Sequence, residues 1–219
     1  MKVLITGTSR GIGKAVAERF LSLGHQVIGI DILSNSINNE KYSHFVADIS
    51  KKEQLPDIQD VDIIFSNAGT QNSEDDISNN LLGSINVVEK YLSSPSLKSI
   101  LFNASSSAHT GYEFPMYSAS KGGVLSYMKN VACRLAPRGV IVNSISFGGV
   151  ITDSNKPVMD DPDCWNKIME VTPLKKWLSL DEVCDWVIFL TTVNRSASGQ
   201  DFLIDNGEKD LNNTFVWPK

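Results

Sequence analysis

Short runs of β-branched residues alternate with longer amphipathic stretches, and this alternation restricts the possible folds more than any other feature. Several runs lack strict alternation of apolar and polar residues, as expected for strands that helices cover on both faces. Strands joined through helical stretches pair in parallel as repeated β-α units. The pattern therefore predicts an α/β fold with one doubly wound, seven-stranded parallel sheet. The predicted strands are Val3–Thr6, Gln26–Ile30, His44–Ala47, Asp62–Ser66, Ser99–Asn103, Val140–Ile145 and Phe202–Ile204.

A glycine-rich segment, TGTSRGIG, occupies Thr6–Gly13 between the first predicted strand and the first predicted helix. Glycine permits a positive φ and a close approach of backbone to a phosphate, and the first helical amides point towards the negative charge. A strand, a glycine loop and a helix in this order indicate a dinucleotide-binding site in a Rossmann-like sheet, with an ordinary tight turn as the alternative. The residues assigned to the site are Gly7, Ser9, Arg10, Gly11, Ile12 and Gly13.

Apolar residues at helical spacing predict two amphipathic helices. The stripe of the first helix is formed by Ile12, Val16, Phe20 and Leu23, and the stripe of the second by Val124, Met128, Val131 and Leu135. Gly24 is the C-terminal stop of the first helix. The same spacing predicts that Trp177 and Trp186 lie in the core.

Asp31 ends the second predicted strand, 18 residues after Gly13 by the numbering. A carboxylate at this place accepts hydrogen bonds from an adenosine ribose and repels a 2′-phosphate. NAD is therefore favoured over NADP, although Arg10 could pair with that phosphate. A solvated turn residue is the alternative for Asp31, and a solvated side chain the alternative for Arg10.

The segment YSASK places Tyr117 and Lys121 four residues apart. On one helix the two side chains share a face, so the ammonium group approaches the phenol. A free tyrosine has a pKa near ~10 and is a poor base at neutral pH until a neighbouring cation lowers that pKa. The pair therefore predicts a tyrosine general acid/base, and an incidental surface pair is the alternative.

No internal repeat, low-complexity segment or change of composition divides the 219 residues. We therefore expect a single domain over 1–219, with a substrate loop at about 152–172 and a C-terminal tail at about 208–219. The least patterned stretches, Thr70–Asn79 and Thr152–Asp163, are rich in Asp, Asn, Ser and Pro and are predicted to be loops.

Charge and hydropathy argue against several kinds of partner. The formal net charge is −5, so no basic surface is expected for nucleic acid or an anionic membrane. No apolar run approaches the ~20 residues of a membrane-spanning helix, and a glycine loop stands where a signal peptide would have its apolar core. We expect a cytoplasmic protein. Cys133, Cys164 and Cys184 lack the paired spacing of a zinc site, and no metal is predicted.

The order of these motifs resembles the short-chain dehydrogenase/reductase (SDR) family, and the resemblance covers nearly the whole chain. Its elements are TGTSRGIG, Asp31, Asp48-Ile49, Asn67-Ala68-Gly69, Asn80, the serines Ser105, Ser106 and Ser107, and YSASK. The resemblance implies that Tyr117 is the acid/base, that Lys121 holds the nicotinamide ribose and that Asn80 kinks its helix and holds a water near the lysine. It assigns substrate orientation to Ser106, with Ser105 as the fallback, and Asn79 is an adjacent alternative to Asn80.

The resemblance also implies the remaining cofactor contacts. Asp48 and Ile49 contact the adenine ring, and the backbone of Asn67, Ala68 and Gly69 passes close to the adenosine side. Gly148, Val150 and Thr152 bind the nicotinamide carboxamide. Two departures from the family pattern are Phe147 in place of a proline and a short segment between Gly69 and Asn80, which implies a reduced or absent helix there. The family's glycine turn near the C-terminus corresponds to Asp205-Asn206-Gly207, where Asn also adopts positive φ.

The implied function is hydride transfer between a nicotinamide cofactor and a small carbonyl or alcohol. The alternative is a catalytically idle, nicotinamide-sensing relative that acts through protein contacts; it would not need Ser106, Tyr117 and Lys121 together. The resemblance also implies a homodimer or homotetramer that pairs the Tyr117 helix and its neighbour. Phe215 and Trp217 suggest that the tail docks on a neighbouring subunit, and a frayed terminus is the alternative.

Overall fold

Seven parallel strands form one sheet in the computed structural model, which describes residues 1–112 and 114–211. Their order is β3-β2-β1-β4-β5-β6-β7, so the chain winds outwards from β1 in one direction and from β4 in the other. The predicted α/β, doubly wound sheet is confirmed. The strands are β1 (Lys2–Thr6), β2 (Gln26–Asp31), β3 (Tyr42–Val46), β4 (Ile63–Ser66), β5 (Ser99–Asn103), β6 (Ile141–Phe147) and β7 (Asp201–Ile204).

Helices connect the strands and cover both faces of the sheet. They are α1 (Gly11–Ser22), α2 (Gly83–Tyr91), α3 (Ser107–Thr110), α4 (Pro115–Leu135), α5 (Lys156–Met159), α6 (Pro162–Val171) and α7 (Leu180–Ile188). Two π-helical turns, Ile77–Leu82 and Phe189–Val193, precede α2 and follow α7. None of the helices in the described ranges has the length and apolar character that crossing a membrane requires.

The core consists of two apolar clusters, one on each face of the sheet. Side chains alternate along a strand, so Leu4 packs into one cluster and its neighbour Ile5 into the other. One face of the sheet, here called the α4 face, is covered by α2 and α4, and its cluster contains Phe102 and Met128. The opposite face, here called the α1 face, is covered by α1 and α7, and its cluster contains Phe20. The predicted α4 stripe, consisting of Val124, Met128, Val131 and Leu135, is fully buried.

Two residues predicted to be in the core are exposed. Leu23 is 52% exposed because α1 ends at Ser22 and the chain turns away at Gly24, which has φ +85° as expected for a C-terminal stop. Trp186 is 37% exposed because the residue after it, Val187, occupies the buried stripe of α7. Trp177 is buried as predicted.

The stretch Thr152–Asp163 is not the predicted loop. It contains a 3₁₀ turn at Asp153–Asn155, the short helix α5 and the start of α6. The carboxylate of Asp161 accepts hydrogen bonds from the amides of Asp163 and Cys164, which caps α6. Asp and Pro therefore act here as helix-start residues rather than as loop residues.

The stretch Thr70–Asn79 is non-helical up to Asp75, and its last residues belong to the π-helical turn Ile77–Leu82. The reduced helix that the sequence implies between β4 and Asn80 is confirmed. The turn at Asp205-Asn206-Gly207 is also present, with Asn206 at φ +58°. Tail residues 212–219, including Phe215 and Trp217, lie outside the described residues.

Candidate active site

The predicted site residues gather at the carboxyl edge of the sheet, because parallel strands all end there. Gly7 follows β1, Asp31 ends β2, Asn67 follows β4 and Gly148 follows β6. The helix α4 begins beside this edge and carries Tyr117 and Lys121.

The glycine loop is shaped for close approach of the first helix to the first strand. Gly7 and Gly11 have φ values of +77° and +55°, which glycine adopts without strain. A Cβ at Gly13 would lie 2.0 Å from the carbonyl oxygen of Gly7, so only glycine fits there. The N-cap residue Arg10 is exposed and makes no side-chain bond to the first amides of α1. Those amides therefore suit an anionic group.

Asp31 is built into this loop. It is 9% exposed, and its two carboxylate oxygens accept hydrogen bonds from the amides of Ser9 and Leu33, each at 2.9 Å. The solvated-turn alternative is therefore wrong for Asp31. The arrangement fixes a negative charge directly behind the glycine loop.

Tyr42 and His44 support the same loop, although no sequence motif marks them as part of the site. The Tyr42 hydroxyl lies 2.8 Å from Thr8 Oγ1 and 2.8 Å from His44 Nδ1, and His44 Nε2 lies 2.8 Å from the carbonyl oxygen of Leu33. Burial raises the pKa of Tyr42. The strand prediction began at His44 and so excluded Tyr42; an earlier start for β3 would have shown their alternation towards Thr8.

Asp48 and Ile49 follow β3. The Ser50 hydroxyl donates to Asp48 Oδ1 at 2.7 Å, and this hydrogen bond is the main cause of the lowered pKa of Asp48. Ile49 is buried against Gly83, where a Cβ would lie 2.7 Å from Ile49 Cδ1. Asp48 therefore keeps a charged, partly accessible carboxylate, whereas Ile49 mainly packs under α2.

Asn67 joins three strand ends. Its side-chain amide donates to the carbonyl oxygen of Thr6 at 2.9 Å and its Oδ1 accepts from Asn103 Nδ2 at 2.9 Å. The Thr6 hydroxyl oxygen accepts from the amides of Asn67 and Ala68. The Asn67 side chain thus holds β1, β4 and β5 together, and Gly69 continues this backbone towards Lys121.

Tyr117 and Lys121 lie on one helix, as predicted, and Lys121 Nζ is 5.7 Å from the centre of the Tyr117 ring. Lys121 is only 5% exposed and donates to the carbonyl oxygen of Asn103 at 2.8 Å. Burial lowers the pKa of Lys121 to about 8, and the charge of Asp76 acts in the opposite direction. The ammonium group is therefore fixed beside the phenol.

Asn80 lies in the π-helical turn and is buried beside α4. Its Nδ2 donates to the carbonyl oxygen of Thr70 and to Ser120 Oγ, both at 2.9 Å, and its Oδ1 accepts from the Thr70 amide at 2.7 Å. Asn79 only reaches the Thr70 hydroxyl, at 3.3 Å. Asn80 is therefore the asparagine that contacts the Tyr117 helix.

The serines after β5 differ in their surroundings. Ser105 is buried, and its hydroxyl donates to Ser107 Oγ at 3.1 Å. Ser106 is half-buried at the start of α3, and its amide donates to the carbonyl oxygen of Phe147. Within residues 1–112 and 114–211, no hydrogen bond of the Ser106 hydroxyl is found. Ser106 is therefore the better placed of the two for an external ligand.

The predicted nicotinamide segment follows β6. A Cβ at Gly148 would lie 2.8 Å from Asp205 Cβ, and Val150 is buried and paired with Leu178. Thr152 is half-buried at the start of the 3₁₀ turn. Phe147, which stands where the family has a proline, is buried in the apolar cluster on the α1 side of the sheet.

His109 does not face this site. Its Nε2 lies 2.7 Å from Asp201 Oδ2 on β7, while Asp201 Oδ1 accepts from the hydroxyls of Ser144 and Ser146 at 2.6 and 3.1 Å. Phe114 and Met116, just before Tyr117, are exposed. Among the residues described, no three His, Cys, Asp or Glu side chains are grouped as metal ligands.

Comparison with known proteins agrees with this architecture. Residues 1–163 match the family described as short chain dehydrogenase. Glucose 1-dehydrogenase of Gluconobacter oxydans is 28% identical over 94% of this chain and 91% of that protein. The 3-oxoacyl-(acyl-carrier-protein) reductase of Buchnera aphidicola is 27% identical over 93% of this chain and 95% of that protein.

The fold of a solved structure is also close. An oxidoreductase of the short-chain dehydrogenase/reductase family from Burkholderia thailandensis superposes with a TM-score of 0.87, at 25% identity over 96% of this chain and 93% of that one. The family match alone covers well over half of the sequence. The chain therefore belongs to the short-chain dehydrogenase/reductase family and is an oxidoreductase.

Proposed function

We propose that the protein binds a nicotinamide dinucleotide across the carboxyl edge of the sheet and transfers a hydride between it and a small carbonyl or alcohol. Tyr117 is the general acid in reduction and the general base in oxidation. The observation that carries this proposal is the buried ammonium group of Lys121 beside the Tyr117 ring. This arrangement also argues against an idle nicotinamide sensor, which has no use for a buried cation next to a phenol.

Lys121 has two roles in this mechanism. Its positive charge stabilises the phenolate form of Tyr117, so the phenol can release or accept a proton near neutral pH. With a pKa of about 8, the lysine is mostly protonated at pH 7. Its remaining N–H groups hold the hydroxyls of the nicotinamide ribose, while its bond to Asn103 fixes their direction.

Ser106 and Asn80 complete the catalytic set. The Ser106 hydroxyl donates to the substrate oxygen and stabilises the charge that develops on it. Asn80 keeps the widened turn beside α4 and holds a water that links Lys121 to solvent. The nicotinamide itself supplies or accepts the hydride.

The cofactor fits the remaining residues in order along the sheet edge. The glycine loop would hold its phosphates, Asp31 its adenosine ribose, and Asp48 and Ile49 its adenine, with the Asn67–Gly69 backbone on the adenosine side. Gly148, Val150 and Thr152 would bind its carboxamide. The buried negative charge of Asp31 favours NAD, and NADP, which Arg10 could assist from its exposed position, is less favoured.

For the substrate we propose a chemical class, a small carbonyl or alcohol. The names of the two relatives refer to a sugar and to an acyl chain, so they support a carbonyl or alcohol group rather than one compound. We propose a homodimer or homotetramer, as the family resemblance implies, and a cytoplasmic location, as the sequence pattern leads us to expect. Sedimentation velocity of the purified protein tests the oligomeric state, and a monomer at all concentrations would contradict it.

The test of the acid/base role is Tyr117→Phe. We expect turnover with a panel of carbonyls and alcohols to fall by a factor of about 10²–10⁴, because the proton donor is lost. NADH affinity, followed by fluorescence titration, should change less than about twofold, since Lys121 remains. Tyr112→Phe is the matched control, because Tyr112 is 91% exposed. Equal turnover of Tyr117→Phe and wild type would overturn the proposal.

A further inference from the structure

Asp76 is a buried carboxylate for which the proposed mechanism has no role. It is 0% exposed, and it accepts hydrogen bonds from the Thr70 hydroxyl at 2.7 Å and the Ser73 amide at 3.2 Å. Both donors are neutral. A carboxylate removed from water is stable only when its charge is also compensated.

Lys121 is the buried cation of the same cluster. A Cβ at Gly69 would lie 3.7 Å from Lys121 Nζ, and the next residue, Thr70, donates to Asp76. Asn80 closes the cluster, because it binds the Thr70 backbone on one side and Ser120 of α4 on the other. Throughout the described ranges, Lys121 is the one buried lysine or arginine.

The position of Asp76 follows from the shortened segment between Gly69 and Asn80. The amide of Asp76 donates to the carbonyl oxygen of Ser73, so the chain folds back on itself before the π-helical turn begins at Ile77. This fold brings the carboxylate under Thr70 instead of leaving it in solvent. The neighbouring Asp75 is exposed.

We propose that Asp76 is the buried counter-charge of Lys121 and acts as a positioning residue that keeps this ammonium group protonated and in place beside Tyr117. The consequence for catalysis rests on the proposed function, whereas the charge pairing itself does not.

The groups that face Lys121 come from three elements. From α4 come Tyr117 and Ser120, from β5 the carbonyl of Asn103, and from the segment after β4 Gly69, Asn80 and Asp76. Among these groups, all within the described part of the chain, Tyr117 and Asp76 are the titratable ones. Burial lowers the pKa of Lys121 and the Asp76 charge raises it, so removing that charge should make the lysine lose its proton at a lower pH.

The first experiment measures the titration of Lys121 directly in the cofactor-free protein. Lysine side-chain NMR of protein labelled with ¹⁵N is recorded against pH in the Tyr117→Phe background, so that no phenol titrates beside the lysine. We expect Asp76→Asn to lower the midpoint by about 1 pH unit. Asp75→Asn is the matched control and should leave it unchanged. Equal midpoints in Asp76→Asn and its parent would overturn the proposal.

A double-mutant cycle keeps the proposal testable if Asp76→Asn is poorly stable. Urea unfolding is measured for Asp76→Asn, Lys121→Met and the double variant. Because each single change leaves one buried charge uncompensated, the double variant should be more stable than the two separate losses predict, by at least about tenfold in the unfolding equilibrium constant. Strict additivity would overturn the pairing.

NADH titration of the wild type separates this inference from the proposed function. Failure of the wild type to bind NADH or NADPH would contradict the proposed function and leave the unfolding cycle as the decisive test of the pairing. If NADH binds, its dissociation constant should begin to rise at a lower pH in Asp76→Asn than in Asp75→Asn, since the ribose contact needs the charged lysine. Identical pH dependence would contradict the role of Asp76 at the site.

Discussion

Polar side chains at the strand ends serve both the fold and the site, and Asp31 does so with one carboxylate. Its bonds to the Ser9 and Leu33 amides order the glycine loop. The proposed function assigns the same carboxylate to the adenosine ribose. The motif pattern predicted the second role, but the first depends on how the loop folds back over β2. A change of charge at this residue should therefore alter cofactor choice.

We expect Asp31→Asn to shift preference from NADH towards NADPH. Asparagine has nearly the size of aspartate and removes the charge that repels a 2′-phosphate. It also loses one of the two hydrogen bonds from the Ser9 and Leu33 amides, because its Nδ2 donates and cannot accept. The ratio of the NADPH to the NADH dissociation constant should fall at least about tenfold, a difference of ~1.4 kcal/mol. Fluorescence titration with both cofactors measures it, and Asp60→Asn, on an exposed loop, is the control. An unchanged ratio would mean that Asp31 does not face the ribose.

At the scale of helices and strands, the sequence predicted the features that depend on the local pattern of one strand or helix. The seven strands are found within two residues of their predicted bounds, and the α4 stripe is buried as expected. The stretch Thr152–Asp163 was mistaken for a loop because Asp and Pro favour both turns and helix starts. Trp186 was predicted to be in the core, but the buried stripe of α7 runs through Val187, the next residue. Spacing alone does not show which of two neighbouring apolar residues is buried.

The start of α7 is defined by a local sequence pattern, and its contribution to stability can be tested. Ser179 and Glu182 form a reciprocal capping box, in which the Ser179 hydroxyl accepts from the Glu182 amide and Glu182 accepts from the Ser179 amide. We expect Ser179→Ala to lower the free energy of unfolding by about 1 kcal/mol, because an amide of the first turn loses its acceptor.

Denaturant unfolding measures this loss, and Glu182→Gln is the matched comparison. Glutamine keeps the box, and the ion pair with Lys176 that it removes is largely solvent-exposed and contributes about 0–1 kcal/mol. The serine variant should therefore be the less stable of the two. The opposite order would show that charge, rather than the cap, stabilises this helix start.

At the scale of the whole molecule, contacts between distant parts of the chain complete the candidate site. Lys121 donates to the carbonyl of Asn103, Asn80 donates to Ser120 of α4, and His109 joins α3 to Asp201 on the edge strand. No local pattern predicts these contacts, because each depends on the sheet having assembled. The motif order could therefore indicate the proposed catalytic residues, but not the side chains that hold them in place.

The two faces of the core should unfold together, because the five strands β1, β2, β4, β5 and β6 each contribute residues to both clusters. Leu4 and Ile5 are neighbours in β1, yet they pack into opposite clusters, so loss of one cluster releases the strand that holds the other.

We expect Phe20→Ala on the α1 face to lower the free energy of unfolding by about 3–5 kcal/mol and Met128→Ala on the α4 face to lower it by about 2–5 kcal/mol. Each variant should unfold in a single transition, and its midpoint should be the same whether followed by tryptophan fluorescence or by far-ultraviolet circular dichroism. Leu23→Ala, at an exposed position, should cost less than about 0.5 kcal/mol. Two separate transitions in either core variant would mean that the two faces unfold independently. The candidate site at the carboxyl edge of the sheet depends on both faces, so it could then be lost before the whole protein unfolds.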